Sequence, residues 1–467
     1  MNTLKQFIFN KHEAINFGLL VLCCASIFYL IVGVNSFGYE PLAKLPLPVI
    51  ILLITIMILS FDALLIFNIV KKEYKPNVSF IILLSIIFVA NIFALLIFSN
   101  KEFQVHETTF TSAITTESKI IYSFQFLGIL LLFFLIFDFI PSIFKNYKLI
   151  YIVCFVAIVV AYFTIIYSLI SDFDFYKNFI PKIINKENLN NYPDAYYPNK
   201  NSYSVILLMG LVGSLFIHNK YPKFYWYIVS GLLTFFILIS FCKGVIFATI
   251  LLMFGYLIYR FIITFKEHKL MNIVSLISIL STFVILLVSF IVICAVDKEF
   301  YSYFSHLFFD GIPGSFYSRV EIWHNTFALL SQTNLYLGFG FHIYGDLLFQ
   351  SLGMSSINNA IPSQFAHNVV MELLGNGGII LLAAAIIVFS YFIYMNIAYI
   401  KKELRLVIFN FILIASFIPL MSVESGSLIF PFTMDYAFFS AVLLVPILNI
   451  KKQTDYTDVS PKSWTCF

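Results

Sequence analysis

Long apolar stretches recur along the whole chain, separated by short segments rich in lysine, proline and asparagine. A helix needs roughly 20 such residues to cross a hydrocarbon core of about 30 Å. Runs of that size fall near 15–34, 46–70, 78–99, 120–140, 149–170, 203–219, 225–241, 244–263, 271–295, 378–400, 404–422 and 427–449. They predict about twelve membrane-spanning helices and an all-α, polytopic integral membrane protein. The split around Phe241-Cys242-Lys243-Gly244 and the turn near Glu424 are the shortest connections in this reading.

The pattern also divides the chain. Residues 1–295 hold nine spans and an outer loop at 171–202; residues 296–366 form a large, partly helical outer loop between the ninth and tenth spans. Residues 367–450 hold a glycine-interrupted helix and the last three spans, and 451–467 reads as a disordered cytoplasmic tail. Lys5 and Lys11 ahead of Ile15–Val34 imitate a secretory leader. That run is too long for a signal core and no small-x-small cleavage site follows, so it reads as the first span.

Composition settles which solvent the chain is built for. Of 467 residues 61% are hydrophobic and 11% charged, with a mean hydropathy of +0.94, whereas soluble domains carry about a quarter charged residues. So little charge cannot cover a soluble surface of this size. The net charge of +4 and the lack of a basic patch interleaved with aromatics argue against nucleic acid as a partner. The six cysteines lie mostly in apolar segments without a CxxC spacing, which reads as buried thiols and not as a metal or disulfide framework.

Lysine and arginine orient the spans, because basic loops are retained on the cytoplasmic side. Lys71, Lys72 and Lys75, then Lys145 and Lys148, Lys220 and Lys223, Arg260, Lys266 and Lys269, Lys401, Lys402 and Arg405, and finally Lys451 and Lys452 all fall at alternate connections. The other connections carry acids, among them Glu102, Glu107, Glu117, Asp172, Asp174, Asp310 and Asp346. Both termini are therefore expected in the cytoplasm and both long loops outside, where long loops are usually functional.

The large outer loop and the segment directly after it contain Ser318-Arg319-Val320-Glu321-Ile322-Trp323-His324, Gly338-Phe339-Gly340-Phe341-His342, then Ala366-His367-Asn368, followed by Glu372-Leu373-Leu374-Gly375-Asn376-Gly377-Gly378. In this order, before a final group of three spans, the segments resemble the O-antigen ligase and Wzy-type O-antigen polymerase superfamily. The resemblance covers 317–385 by motif and the rest only by helix count and loop position. It implies a membrane glycosyltransferase that joins undecaprenyl-diphosphate-linked oligosaccharides on the outer face of the bacterial inner membrane, without metal or cofactor. Its partners would be the lipid-linked glycan donor, a glycan acceptor on carrier lipid or lipid A-core, membrane lipids, and a chain-length regulator.

The residues fit that chemistry. A hydroxyl attacking an anomeric carbon must lose a proton, and a histidine is a suitable general base, with His367 the candidate. The alternative for His367 is a cap on a helix beginning near Ser363. A departing diphosphate gathers negative charge that a guanidinium holds in a fork, and Arg319 is the arginine of the outer segments. Lys243 stands where the family commonly has an arginine close to a serine, and is a second diphosphate-binding candidate or else an interfacial lysine. His324, His342, Glu321 and Glu372 are secondary candidates, each also readable as an ordinary loop side chain. Gly375, Gly377 and Gly378 predict a short helix carrying His367 at its start, ahead of the tenth span proper.

Other patterns lead elsewhere or nowhere. Gly338, Gly340 and Gly345 fail the dinucleotide spacing. Asp172-Phe173-Asp174 imitates a metal-binding DxD but reads as a loop end, and the tyrosines at 192, 196, 197 and 203 read as interfacial aromatics. Twelve helices with both ends inside is also a transporter plan, in which the polar site lies at midplane; the notable intramembrane acids are Asp62, Asp138 and Asp435. A transferase using monosaccharide-lipid donors would be expected to keep an acid in the first outer loop, where only Glu40 stands. A repeat-unit polymerase is the preferred reading, and a ligase or a polysaccharide flippase the alternatives.

Overall fold

A computed structural model of the chain describes residues 11–34, 46–98, 101–105, 108–111, 115–144, 147–185, 200–266, 312–341, 343–352, 367–423 and 434–457, with scattered positions at 187–195 and 270–303. The chain is an all-α, polytopic membrane protein. Among the described residues nine helices are long and apolar enough to cross a membrane, and Tyr225–Ile239 and Ala437–Ile450 are shorter apolar helices. Within 271–295 all the described positions are helical. Helices dominate because lipid offers no hydrogen bonds, so every backbone group must be satisfied inside its own segment. Side chains such as Ile51, Leu59 and Ile66, left exposed along one helix, are suited to acyl chains.

In chain order the helices are α1 (Lys11–Val34), α2 (Leu47–Val70), α3 (Val78–Phe98), α4 (Thr116–Phe134, continuing to Ile143), α5 (Lys148–Ser171), α6 (Phe173–Ile184), α7 (Lys200–Lys220), α8 (Tyr225–Ile239), α9 (Lys243–Lys266), α10 (Ile312–Leu330), α11 (Ile343–Ser351), α12 (Val369–Tyr399), α13 (Leu404–Val423) and α14 (Met434–Thr457). An antiparallel hairpin, β1 (Glu102–Val105) with β2 (Thr108–Thr111), sits between α3 and α4, pairing Glu102 with Thr111 and Val105 with Thr108. Neither the hairpin nor α6 was legible as apolar periodicity. The tail expectation changes as well: α14 runs helically to Thr457, past the 451 boundary. The turn near Glu424 and residues 458–467 lie outside the described residues.

The chain forms two compact units. Unit 1 comprises Met1–Val153, Arg319–Lys402 and Met421–Phe467; unit 2 comprises Cys154–Ser318 and Glu403–Leu420. In unit 1, α1 and α2 are locked by reciprocal amide bonds between Asn16 and Asn68 at 3.1 and 2.8 Å. A π-helical turn at Leu135–Phe139 in α4 carries buried Asp138, which accepts hydrogen bonds from the Tyr74 hydroxyl and the Asn77 amide. Below it Asn449 Nδ2 donates to the Pro141 and Phe144 carbonyls, both at 2.8 Å, so the loosened end of α4 keeps its polar groups satisfied.

In unit 2, α7 is the core helix: Leu207, Leu208, Leu211, Val212 and Leu215 are wholly buried. It approaches α5 closely because Gly213 has no side chain; a Cβ there would lie 2.8 Å from the Cys154 carbonyl oxygen. The short helix α6 lays Phe175 and Phe179 on Ile239 and Phe241, leaving Phe173, Ile180 and Ile184 exposed.

Candidate functional site

The glycine cluster that precedes the tenth predicted span builds a spliced helix. α12 is broken at Gly378, where φ is 62° and ψ −159°, a conformation reserved for glycine. A break costs the backbone bonds on both sides of it, and here residues 335–340 supply replacements. Phe339 N donates to the Gly375 carbonyl at 2.8 Å and Gly340 N to the Asn376 carbonyl at 3.1 Å. From the far side of the break, Ile379 N donates to the Leu335 carbonyl at 3.0 Å and Ile380 N to the Tyr336 carbonyl at 3.3 Å. The fit needs a second glycine: a Cβ on Gly338, itself at φ +64°, would lie 2.5 Å from Gly378 N. The Gly-x-Gly segment and the Gly-Gly segment, two separate motifs in sequence, are thus the two halves of one interlock.

The inserted loop is gripped on its other side. Phe341 N donates to Asn91 Oδ1 of α3 at 2.8 Å. Phe339, wholly buried, meets Phe98 and Phe103 edge-on at 6.0 and 5.4 Å between ring centres. Phe103 belongs to the hairpin, whose edge is held by Gln332: Gln104 N donates to Gln332 Oε1 at 2.9 Å and Gln332 Nε2 donates to the Gln104 carbonyl at 2.6 Å. A shallow apolar groove of about 460 Å³ runs along α3 between Ile82 and Phe93 and ends at Leu337 of the same loop.

α10 leads into this loop and sorts the candidate residues by face. Arg319, half-buried, shares a face with Ile322 and Thr326, three and seven residues on, which are buried. Glu321 and His324 lie on the exposed face. The Thr326 hydroxyl donates to the Ile322 carbonyl at 2.8 Å. Its oxygen therefore receives the Tyr344 hydroxyl, also at 2.8 Å. Tyr344 is wholly buried, its ring stacked near Phe339 and pressed on the Gly375 backbone, where a Cβ would come within 2.5 Å of the ring. Burial, and then the Glu372 carboxylate, hold the Tyr344 phenol well above its ordinary value.

His367 stands immediately before α12 with φ +49°, in the left-handed region that few non-glycine residues adopt. It is not the cap. That role belongs to Asn368, whose side-chain oxygen accepts from Val370 N at 3.0 Å and Met371 N at 3.2 Å. The described helix begins at Val369, so the reading of His367 as a cap gives way to an asparagine one residue after the histidine; Ser363 lies outside the described residues. Glu372 is buried in the first turns, with Asn376 Nδ2 donating to its Oε1 at 2.9 Å.

Arg319, His367 and Glu372 therefore belong to one compact unit, joined through Thr326, Tyr344 and Gly375. Lys243 opens α9 in unit 2, just after Phe241 at φ +53°. Ser240, two residues before Cys242, accepts from the Ser204 hydroxyl at 2.7 Å and closes that turn. His342 lies outside the described residues, as do the tyrosines at 192, 196 and 197. Asp172 is a structural anchor: it accepts from Ser168 Oγ at 2.6 Å and from Ala195 N at 3.1 Å. Among the described residues no three His, Cys, Asp or Glu side chains form a metal-binding group.

Sequence reasoning missed Tyr344, Asn91 and Gln332, which assemble the site from three separate segments. Only Tyr344 carried a signal, as a lone phenol between Gly-x-Gly and an acid in a short apolar helix. The chain matches no protein-family model, no curated protein and no solved structure.

Proposed function

We propose that this protein is a metal-independent oligosaccharide transferase of the O-antigen polymerase and ligase kind. In this reading it joins undecaprenyl-diphosphate-linked oligosaccharides on the outer face of the bacterial inner membrane, as a repeat-unit polymerase. The observation that carries it is the interlock at Gly338 and Gly378. It ties the loop that follows the Arg319 helix to the break in the helix that follows His367, although 48 positions separate the two residues. The proposed topology has twelve spans with both termini cytoplasmic, counting the nine long helices, the two shorter ones and 271–295.

The chemistry follows from the residue types. The acceptor hydroxyl attacks the anomeric carbon while His367 takes its proton. The bond from that carbon to the diphosphate oxygen breaks, and the diphosphate leaves with the electron pair, steadied by Arg319. His367 is held in a left-handed conformation just ahead of a well-formed cap, and such strain tends to concentrate where geometry serves function. Glu372 and Asn376 give that half-helix a polar interior, and the apolar groove ending at Leu337 suits a prenyl chain. Glu321, His324 and His342 are left with secondary roles, and Lys243 with a diphosphate contact of its own.

The test replaces His367 and Arg319 separately by alanine and examines the glycans on the carrier lipid. Single repeat units accumulating on the carrier support a polymerase. Full-length chains stranded on the carrier support a ligase, and repeat units trapped on the cytoplasmic face support a flippase. Normal glycans from both variants refute the site.

A further inference from the structure

A second polar cluster lies in unit 2, far in sequence from the loop motifs. Arg260, near the end of α9, is only 5% exposed, and its Nε and Nη1 atoms are buried without a hydrogen-bond partner. The Tyr227 hydroxyl, in the first turn of α8, lies beside the guanidinium. Around it stand His218 and Asn219, buried near the end of α7, with Tyr256 and Tyr259 on α9 itself. The Tyr256 hydroxyl lies 3.2 Å from His218 Nδ1, and the Tyr227 ring meets the His218 ring edge-on at 4.3 Å. The Tyr259 hydroxyl donates to Asn219 Oδ1 at 3.1 Å, and Asn219 Nδ2 donates to the Arg405 carbonyl at 3.2 Å, which ties in the start of α13.

Among the described residues the cluster has no counter-ion. α7, α8, α9, α13 and the turn at 221–224 contain no aspartate or glutamate, and Glu403, just ahead of α13, is exposed and makes no ion pair with Arg260, while Glu267 lies outside the described residues. Guanidinium cannot shed its charge by losing a proton, so burial leaves it dependent on an anion. An ionisable side chain buried in a membrane helix is by default a functional site. Exposed Lys220, Lys223 and Arg405 in the same turns add to the positive field.

We propose that this end of unit 2 is a phosphate-binding site, with Arg260 as the desolvated anchor and the hydroxyls of Tyr227 and Tyr256 as further contacts. Its fork suits two phosphate oxygens, and hydroxyls on both sides donate to the rest. The phosphate belongs to an anionic phospholipid headgroup or to soluble inorganic phosphate. Exposed Phe224, Ile228, Ile262 and Phe265 flank the site with the apolar surface that acyl chains would cover. This inference stands apart from the glycan reading.

The test uses the full-length protein reconstituted in phosphatidylcholine vesicles, with its thermal unfolding midpoint followed in two titrations. One adds phosphatidylglycerol; the other adds inorganic phosphate against chloride of equal ionic strength. A rise in midpoint with phosphatidylglycerol alone assigns the site to lipid, and an equal rise with phosphate assigns it to the soluble anion. In Arg260→Gln the half-saturating concentration should increase about tenfold or more, because a bond to a charged group is lost. Should that variant fail to fold, Tyr227→Phe keeps the charge and removes one contact, and about a fivefold weakening is expected. No response of the wild-type protein to either titrant, or an unchanged response in the variant that folds, overturns the proposal.

Discussion

Replacing Gly378 by alanine tests the interlock directly. The new Cβ would lie 2.4 Å from the Tyr336 carbonyl oxygen and 2.5 Å from Gly338 N, and both are backbone atoms that cannot swing aside. Ordinary contact begins near 3.4 Å, so the 335–338 segment must retreat by about 1 Å. The bond from Ile380 N to the Tyr336 carbonyl, already 3.3 Å, then passes out of range. A lost buried bond costs about 1–3 kcal/mol, and holding alanine at φ 62°, ψ −159° costs about 1–3 kcal/mol more. The sum, about 2–6 kcal/mol, changes the folded-to-unfolded ratio by about thirtyfold or more. The assay is unfolding of the purified protein in mixed micelles titrated with sodium dodecyl sulfate, with Gly18→Ala as the control. Gly18 lies within α1 with nothing inside 4 Å of its Cβ position, so alanine there should stabilise by about 0.5–1 kcal/mol. A Gly378→Ala protein within about 0.5 kcal/mol of wild type would refute the splice as a structural necessity.

Three further outcomes follow from the same region. Asn368→Ala should cost about 1 kcal/mol by the same titration and Asn368→Asp far less, because only the acceptor oxygen is needed by Val370 N and Met371 N. Tyr344 titrates above its ordinary value of 10.0 in the folded protein. The unfolded chain gives up this proton first, so the contribution is fully present below pH 10 and is lost as pH rises beyond it; stability against pH should fall less steeply there in Tyr344→Phe. Gln332→Ala removes both bonds to Gln104 and should speed amide exchange at Gln104 by about fivefold or more, read by hydrogen–deuterium mass spectrometry, with global stability nearly unchanged.

Because lipid permits few backbone solutions, long apolar runs were enough to recover most helices within a few residues: 46–70 became Leu47–Val70 and 149–170 became Lys148–Ser171. The glycine interruption ahead of the tenth span was visible too, since three glycines in four positions cannot extend a helix without consequence. α6 was hidden because a surface helix of twelve residues carries too little apolar length to stand out. The hairpin was hidden because its four-residue strands are held from outside, by Phe339 and Gln332.

The linear chain by itself determined the solvent, the fold class and the residue types near the candidate site, because these depend on local composition and on period. Tertiary structure alone decided what Gly378 is broken for, which face of α10 Arg319 shares, and that Asn368 and not His367 caps α12. The same holds for Arg260, which in sequence is one more basic residue at a helix end and in space is a buried charge with no acid beside it among the described residues. For Gly378 and Arg260 the partner, Gly338 in one case and Tyr227 in the other, stands tens of residues away in the chain. Its position follows from packing, on which neither propensity nor spacing reports.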